Sequence, residues 1–334
     1  MEMIFERWAG RALPLLVRPT QRAESEALIE HVATHAAAIR ERAAEVGALL
    51  FRGFGASGAS NLARVTLALG NSAPLSYVGG DTPRTAIRDG VYTSTEAPPS
   101  VRIPLHQEMS YLRAYPRFLV FQCDLACRRG GETVLADARA VFRALDPTLR
   151  EKFTERGVQY RFSYPGPSAV FDRLNRARKV SKSWMEVFQT DRPDEAEARC
   201  SALGMNAHWS SGHLVATSTR PATLIHPDSG ASLWFNQAHL FCWSPRWMGH
   251  GHYALASLLY PRHELRSHHA CYGDGSEIER PALDHVHDVL ERQTISWSWE
   301  PGDVLVVDNL TCMHGRSPYT GARRILVSMT REPP

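Results

Sequence analysis

Beyond residue 110 the chain carries a series of short apolar runs, several of them next to glycine, proline or asparagine. The runs are Arg117–Asp124, Glu132–Ala136, Ser232–Phe235, Thr294–Trp299, Val304–Asp308 and Arg324–Met329. Runs of this length, rich in Val, Leu, Ile and Phe, suit strands and are too short for amphipathic helices. The first third reads differently. Residues 21–46 are rich in Ala and Glu, and Leu28, Ile29, Val32, Ile39, Ala43 and Val46 recur near helical spacing, with Thr20 placed to cap the helix. Ala48–Phe51 is a short buried strand stopped at Gly53, and a second helix is expected over 58–70. Residues 71–104 have the Gly, Pro, Thr and Ser texture of loops and short strands. A helical stretch follows at 137–156. Residues 157–232 look irregular, and 239–272 are histidine-rich. Helices first and strands after predict a mainly β core with flanking helices in one domain over 1–334, with 157–232 as an inserted lid or specificity region.

Of the 334 residues, 43% are hydrophobic and 22% charged, which excludes a disordered or collagen-like chain. A formal net charge of +3 is too mild for a nucleic-acid footprint. No window of about eighteen apolar residues suggests a membrane span. The N-terminal stretch lacks the basic–apolar–small order of a signal peptide, so a cytoplasmic location is expected. The six cysteines form no C-x-x-C pair and read as reduced, mostly buried thiols rather than zinc ligands.

His106-Gln107-Glu108 is the first candidate for chemistry. On an extended chain, residues two apart share a face, so an imidazole and a carboxylate could hold one cation. A second histidine from a distant strand would complete a facial triad with three open positions on Fe(II). The pattern alone is weak. With 15 His and 35 acidic residues in 334, chance gives about 1.6 such spacings, and His226-Pro227-Asp228 is another. That second match runs into Ser229-Gly230 and reads as a hairpin turn. In the 239–272 stretch, His250 and His252 share a face only if extended, His268 and His269 diverge, and no carboxylate is spaced to complete a triad, so it reads as surface without a second metal site.

The C-terminal pattern adds specificity. It runs Trp299-Glu300-Pro301-Gly302-Asp303, Val304 to Asp308-Asn309, His314-Gly315-Arg316, then Arg323-Arg324-Ile325. With Leu50–Phe54, Gly130-Gly131-Glu132-Thr133, Trp234–Gln237 and Tyr272–Gly275, it resembles the iron(II)/2-oxoglutarate dioxygenases of the taurine dioxygenase (TauD/TfdA) type. Within them it is most similar to the branch of syringomycin-type aspartyl hydroxylases and clavaminate synthase. The resemblance covers most of the chain and implies a double-stranded β-helix, or jelly-roll, core. It implies that His106, Glu108 and His314 hold Fe(II), and that 2-oxoglutarate and O2 are consumed with release of succinate and CO2. Arg324 would meet the far carboxylate of 2-oxoglutarate, with Arg323 as the substitute if the strand register differs by one, and Thr133 would supply a hydroxyl. Halogenating members of the superfamily replace the carboxylate ligand with a small residue. Glu108 is a carboxylate, so hydroxylation of an unactivated C–H bond is expected, or desaturation, cyclisation or other ring closure. A non-catalytic metal-binding barrel is the remaining alternative. The branch implies an amino-acid-like substrate in secondary metabolism, free or tethered to a peptidyl carrier protein, with no nucleic-acid or membrane partner. Asn236, and less specifically Arg102 and Arg316, are candidate substrate contacts.

Overall fold

The computed structural model describes residues 2–70, 84–166 and 182–330. Its centre is an eight-stranded sheet in the order Met3–Trp8, Arg11–Pro19, Ala48–Phe51, Val304–Asp308, Phe118–Leu125, Arg324–Thr330, Val91–Thr93, Ala86–Arg88. All neighbours are antiparallel except Arg11–Pro19 with Ala48–Phe51. Val304–Asp308 is buried at every position because both faces of the sheet are covered. Alternation decides what each residue touches. Val304, Val306, Val120 and Leu326 pack toward helices Ser25–Val46 and Ala59–Gly70. Leu305, Val307, Phe121, Ile325 and Val327 face the opposite way, into the main core.

That main core is closed by smaller sheets. One has the order Ile295–Trp297, Thr133–Asp137, Cys312–Arg316, Ile103–His106, and another Asn206–Ser210, His213–Arg220, Val158–Tyr164, His268–Tyr272. Leu135 and Ala136 from the first, and Tyr160 and Phe162 from the second, join the cluster that holds Phe121 and Val327. Sheet against sheet around one core, with helices outside, is the double-stranded β-helix arrangement expected from the sequence.

Several local expectations change. The N-terminal pair Met3–Trp8 and Arg11–Pro19 forms a hairpin at the sheet edge that the residue pattern did not announce. The first helix starts at Ser25 with Glu24, not Thr20, at its cap position. The stretch 137–156 is two helices, Ala138–Ala144 and Pro147–Arg156, separated at Asp146, whose side chain caps the second by accepting from the Leu149 N–H at 3.0 Å. The described part of 157–232 is not irregular. It supplies three strands of a four-stranded sheet, and its alternation (Val158, Tyr160, Phe162 and Tyr164 inward) is clear once the strand bounds are known. The turn expected at His226 to Gly230 is present between Thr223–Ile225 and Ser232–Trp234.

Candidate metal centre

Two strands of the smaller sheet carry the histidines. His106 ends Ile103–His106 and is the register partner of His314 in Cys312–Arg316. Their rings lie 4.4 Å apart. The two strands approach so closely that a Cβ at Gly315 would fall 2.5 Å from the Ile103 carbonyl oxygen and 2.9 Å from Val134, so only glycine fits beside the ligand. The Nδ1 of His106 lies 2.9 Å from the Pro104 carbonyl. Donation to that carbonyl fixes the tautomer and leaves Nε2 with a lone pair for a cation.

Glu108 lies past the strand end, in a turn rather than on an extended chain, and is held there by Asn309. The Asn309 side chain accepts the Glu108 N–H at 2.7 Å and donates to the Glu108 carbonyl at 3.0 Å and the Pro116 carbonyl at 2.9 Å. Asp308, next to it, accepts from the N–H groups of Leu310 and Thr311, both at 2.9 Å, and meets Arg117 at 2.9 Å. The turn that leads into His314 is thereby fixed at its start. Other residues of the same motif also brace the site. Asp303 takes Arg52 in a two-pronged pair at 2.7 and 2.9 Å, and the Trp299 indole donates to the Thr133 hydroxyl at 3.0 Å.

Ligand atoms of His106, Glu108 and His314 all lie within 4.8 Å of one another, and Glu108 Oε2 is 3.9 Å from His314 Nε2. Burial lowers the pKa of both imidazoles, His314 the more strongly, so both stand in the neutral form a metal needs. Two neutral imidazoles and one carboxylate on one side of a cavity match the donor set of a ferrous facial triad. The residues therefore fit the ion that the sequence implies.

Beside the triad opens a narrow cleft, with Arg84, Phe121, Thr133, Arg316, Arg323 and Ile325 in its wall. It is rich in guanidinium groups. Arg84 Nη2 lies 2.5 Å from Glu108 Oε2, and both side chains are 3% exposed. Arg316 donates to the carbonyls of Ala97, Pro98 and Val101 at 2.7–3.2 Å and so fastens that loop to the rim. Arg323 donates from Nε to the Gly131 carbonyl at 3.2 Å. Burial, and next to it the Arg316 charge, brings the Arg323 pKa down to about 10. It remains a cation at neutral pH, in a setting where an anion would be strongly favoured.

The sequence-derived residues fare differently. His106, Glu108 and His314 converge, and Thr133 shares their cleft. Arg324 does not. Its side chain is 59% exposed and lies 3.5 Å from Asp124 on the outer side. Ile325 faces the cleft, so strand alternation turns Arg323 inward and Arg324 outward, and the register shifts between Arg324 and Ile325. The expectation of Arg324 is thus replaced by its neighbour. Gly131 makes room for the exchange, since a Cβ there would stand 3.2 Å from Arg323 Cδ and 2.4 Å from the Cys127 sulfur. Asn236 is fully buried away from the cleft, donating to the Ala222 carbonyl at 2.9 Å and accepting from the Ala238 N–H at 3.1 Å, so it is a structural cap and not a substrate contact. Arg102 borders a different cavity, with His239 and His287. Arg84 went unseen because nothing in the Gly- and Pro-rich 71–104 stretch marks which residue turns toward Glu108.

Comparison with known proteins agrees with this geometry. The family described as "Taurine catabolism dioxygenase TauD, TfdA family" matches residues 17–330. The chain is 34% identical over 306 residues to the dapdiamide synthesis protein DdaC of Enterobacter agglomerans, covering 91% of this chain and 88% of that protein. It is 30% identical to a clavaminate synthase-like protein of Arabidopsis thaliana, over 86% of this chain and 82% of that one. Among solved structures, PvcB of Pseudomonas aeruginosa, an Fe, alpha-ketoglutarate dependent oxygenase, shares the fold at a TM-score of 0.53 and 18% identity, covering 98% of this chain and 90% of that one.

Proposed function

The chain belongs to the TauD/TfdA family of non-haem iron, 2-oxoglutarate-dependent dioxygenases, and we propose that it hydroxylates an unactivated C–H bond of an amino-acid-like substrate, free or carrier-bound, in the assembly of a secondary metabolite. The observation that carries the reading is the convergence of His106, Glu108 and His314 at a cleft whose wall also holds the half-buried Arg323. The similarity to DdaC, a dapdiamide synthesis protein that matches about nine-tenths of this chain, supports the biosynthetic setting.

In this reading His106, Glu108 and His314 hold Fe(II). The bound iron supplies activation of O2 at the expense of 2-oxoglutarate, which leaves as succinate and CO2. The rest falls to the protein. Arg323 takes the far carboxylate of 2-oxoglutarate in a charge-assisted pair. Thr133 lends its hydroxyl to the same carboxylate, oriented by the Trp299 indole. Arg316 is committed to three loop carbonyls and shapes the rim rather than binding the keto acid. Arg84, now on Glu108, lies in the same cleft and can meet an anionic group of an arriving substrate. Phe121 and Ile325 supply the apolar wall that keeps water from the reacting centre. The carboxylate of Glu108 fills the position that a halogenating enzyme leaves open for halide.

Anaerobic titration of the apoprotein with Fe(II) and 2-oxoglutarate tests this directly. A weak metal-to-ligand charge-transfer band should appear and shift when candidate amino acids or aminoacyl carriers are added, and product mass should rise by one oxygen. Loss of two hydrogens would replace hydroxylation by desaturation or ring closure. Absence of the band and of any succinate would sink the enzymatic reading.

A further inference from the structure

Away from the cleft, a second set of metal-ligating atoms meets. Its members are His263 in the short helix His263–Leu265, His269 in strand His268–Tyr272, and Glu277 beyond the turn that follows that strand. Alternation makes this possible. Ala270 and Tyr272 face the main core and His268 packs edge-on to Phe162 and Phe241, so His269 points to the other side. The Gly273–Ser276 turn, closed by bonds of 2.8 and 2.9 Å between Tyr272 and residues 276 and 275, reverses the chain and brings Glu277 back against His269. The carboxylate that linear spacing fails to supply is thus delivered by the turn.

Glu277 Oε1 lies 3.0 Å from His269 Nε2 and 3.4 Å from His263 Nδ1, and all three ligand atoms fall within 4.8 Å of one another. Ligands at about 2.0–2.1 Å from a tetrahedral Zn(II) stand roughly 3.3 Å from each other, close to these separations. The two imidazole rings lie with centroids 4.6 Å apart and 19° between their planes. A further contact separates this set from a chance ion pair. The other ring nitrogen of His263, Nε2, lies 3.2 Å from Glu264 Oε1, the outer carboxylate–imidazole contact that orients metal-bound histidines. His269 is 6% exposed on its side chain.

We propose that His263, His269 and Glu277 form a second divalent-cation site, suited to Zn(II), with Glu264 orienting His263 and a fourth position open to water. Two imidazoles and one carboxylate are donors of intermediate softness, which favours Zn(II) over Mg(II) or Ca(II). The site is independent of the iron triad and of the catalytic reading.

The test counts Zn(II) equivalents by isothermal titration on the chelator-treated full chain. The wild type should take two, and His106→Ala should keep one. Glu277→Gln, at an exposed position, and His263→Ala, at a half-buried one, should each keep one. Glu277→Gln should also retain succinate formation when loaded with Fe(II). Co(II) substituted into the His106→Ala protein should give the intense visible bands of a tetrahedral centre, lost on adding Glu277→Gln. A single equivalent in the wild type, or two retained in both Glu277→Gln and His263→Ala, overturns the proposal. A wild type with two equivalents of which His106→Ala removes none would instead count against the iron triad.

Discussion

Asn309 grips the main chain of Glu108 from both sides, accepting its N–H at 2.7 Å and donating to its carbonyl at 3.0 Å. The two residues are 201 positions apart in the chain, and the contact sets a carboxylate that no regular strand positions. Asn309→Ala removes these bonds together with the one to Pro116. A buried donor left unsatisfied costs about 1–3 kcal/mol, so unfolding by urea should move to lower concentration. Ferrous affinity should fall about tenfold or more, as is usual when a residue orienting a metal ligand is lost. Unchanged affinity would show that Glu108 does not depend on this clamp.

His106→Ala and His314→Ala should each abolish the Fe(II)–2-oxoglutarate absorption band and succinate release, because two protein ligands do not retain the ion at micromolar iron. Full turnover in either variant would refute the triad.

Arg323 and Arg324 are neighbours with opposite surroundings, one in the cleft and the other 59% exposed. Arg323→Ala should raise the KM for 2-oxoglutarate at least tenfold, corresponding to about 1.5–3 kcal/mol for a hydrogen bond to a charged group. Arg324→Ala should alter it less than twofold. Steady-state kinetics with 2-oxoglutarate as the varied substrate decides, and the reverse pattern would place the register one residue away.

At Gly315 an added methyl meets the Ile103 carbonyl at 2.5 Å. Gly315→Ala should part the strands bearing His106 and His314, costing about 1–3 kcal/mol of stability as overpacking does. Iron binding should weaken in step. Wild-type melting and metal affinity in this variant would show that the strands give way without cost.

His239 is buried with its Nε2 2.8 Å from the Leu105 carbonyl, and burial lowers its pKa to about 3. Between that value and the ordinary 6.5, the unfolded chain binds a proton that the folded chain refuses. Stability is therefore complete above about pH 6.5 and falls as the pH drops toward 3, by up to about 1.4 kcal/mol per pH unit from this group. His239→Gln, which can still donate to Leu105, should flatten the acid limb of a urea-unfolding profile measured from pH 7 to 4. An unchanged slope would assign the limb to other groups.

What could be read from the residues alone followed the strength of local pattern. Val304–Asp308 and Phe118–Leu125 announce themselves because both of their faces are buried and nearly every position is apolar. Tyr160 and Phe162 were hidden because their strand alternates with Gln159, Arg161 and Ser163, which reads as a polar loop unless the pairing with His213–Arg220 is known. The triad was legible because its three members lie in distinctive surroundings. Arg323 against Arg324 was not, since a one-residue register shift decides it and leaves no trace in composition. Glu277 shows the same limit, because its meeting with His269 depends on a turn and not on spacing.

Between the two triad residues His106 and Glu108 stands Gln107, fully buried, with its side-chain amide donating to the Trp234 carbonyl at 2.6 Å and its main-chain carbonyl accepting from Gln237 Nε2 at 2.5 Å. One tripeptide therefore serves two masters, and the 234–237 segment behind it shares a rigid seam with the triad. Repacking that distant segment would therefore shift His106 and Glu108, although none of its residues lines the cleft.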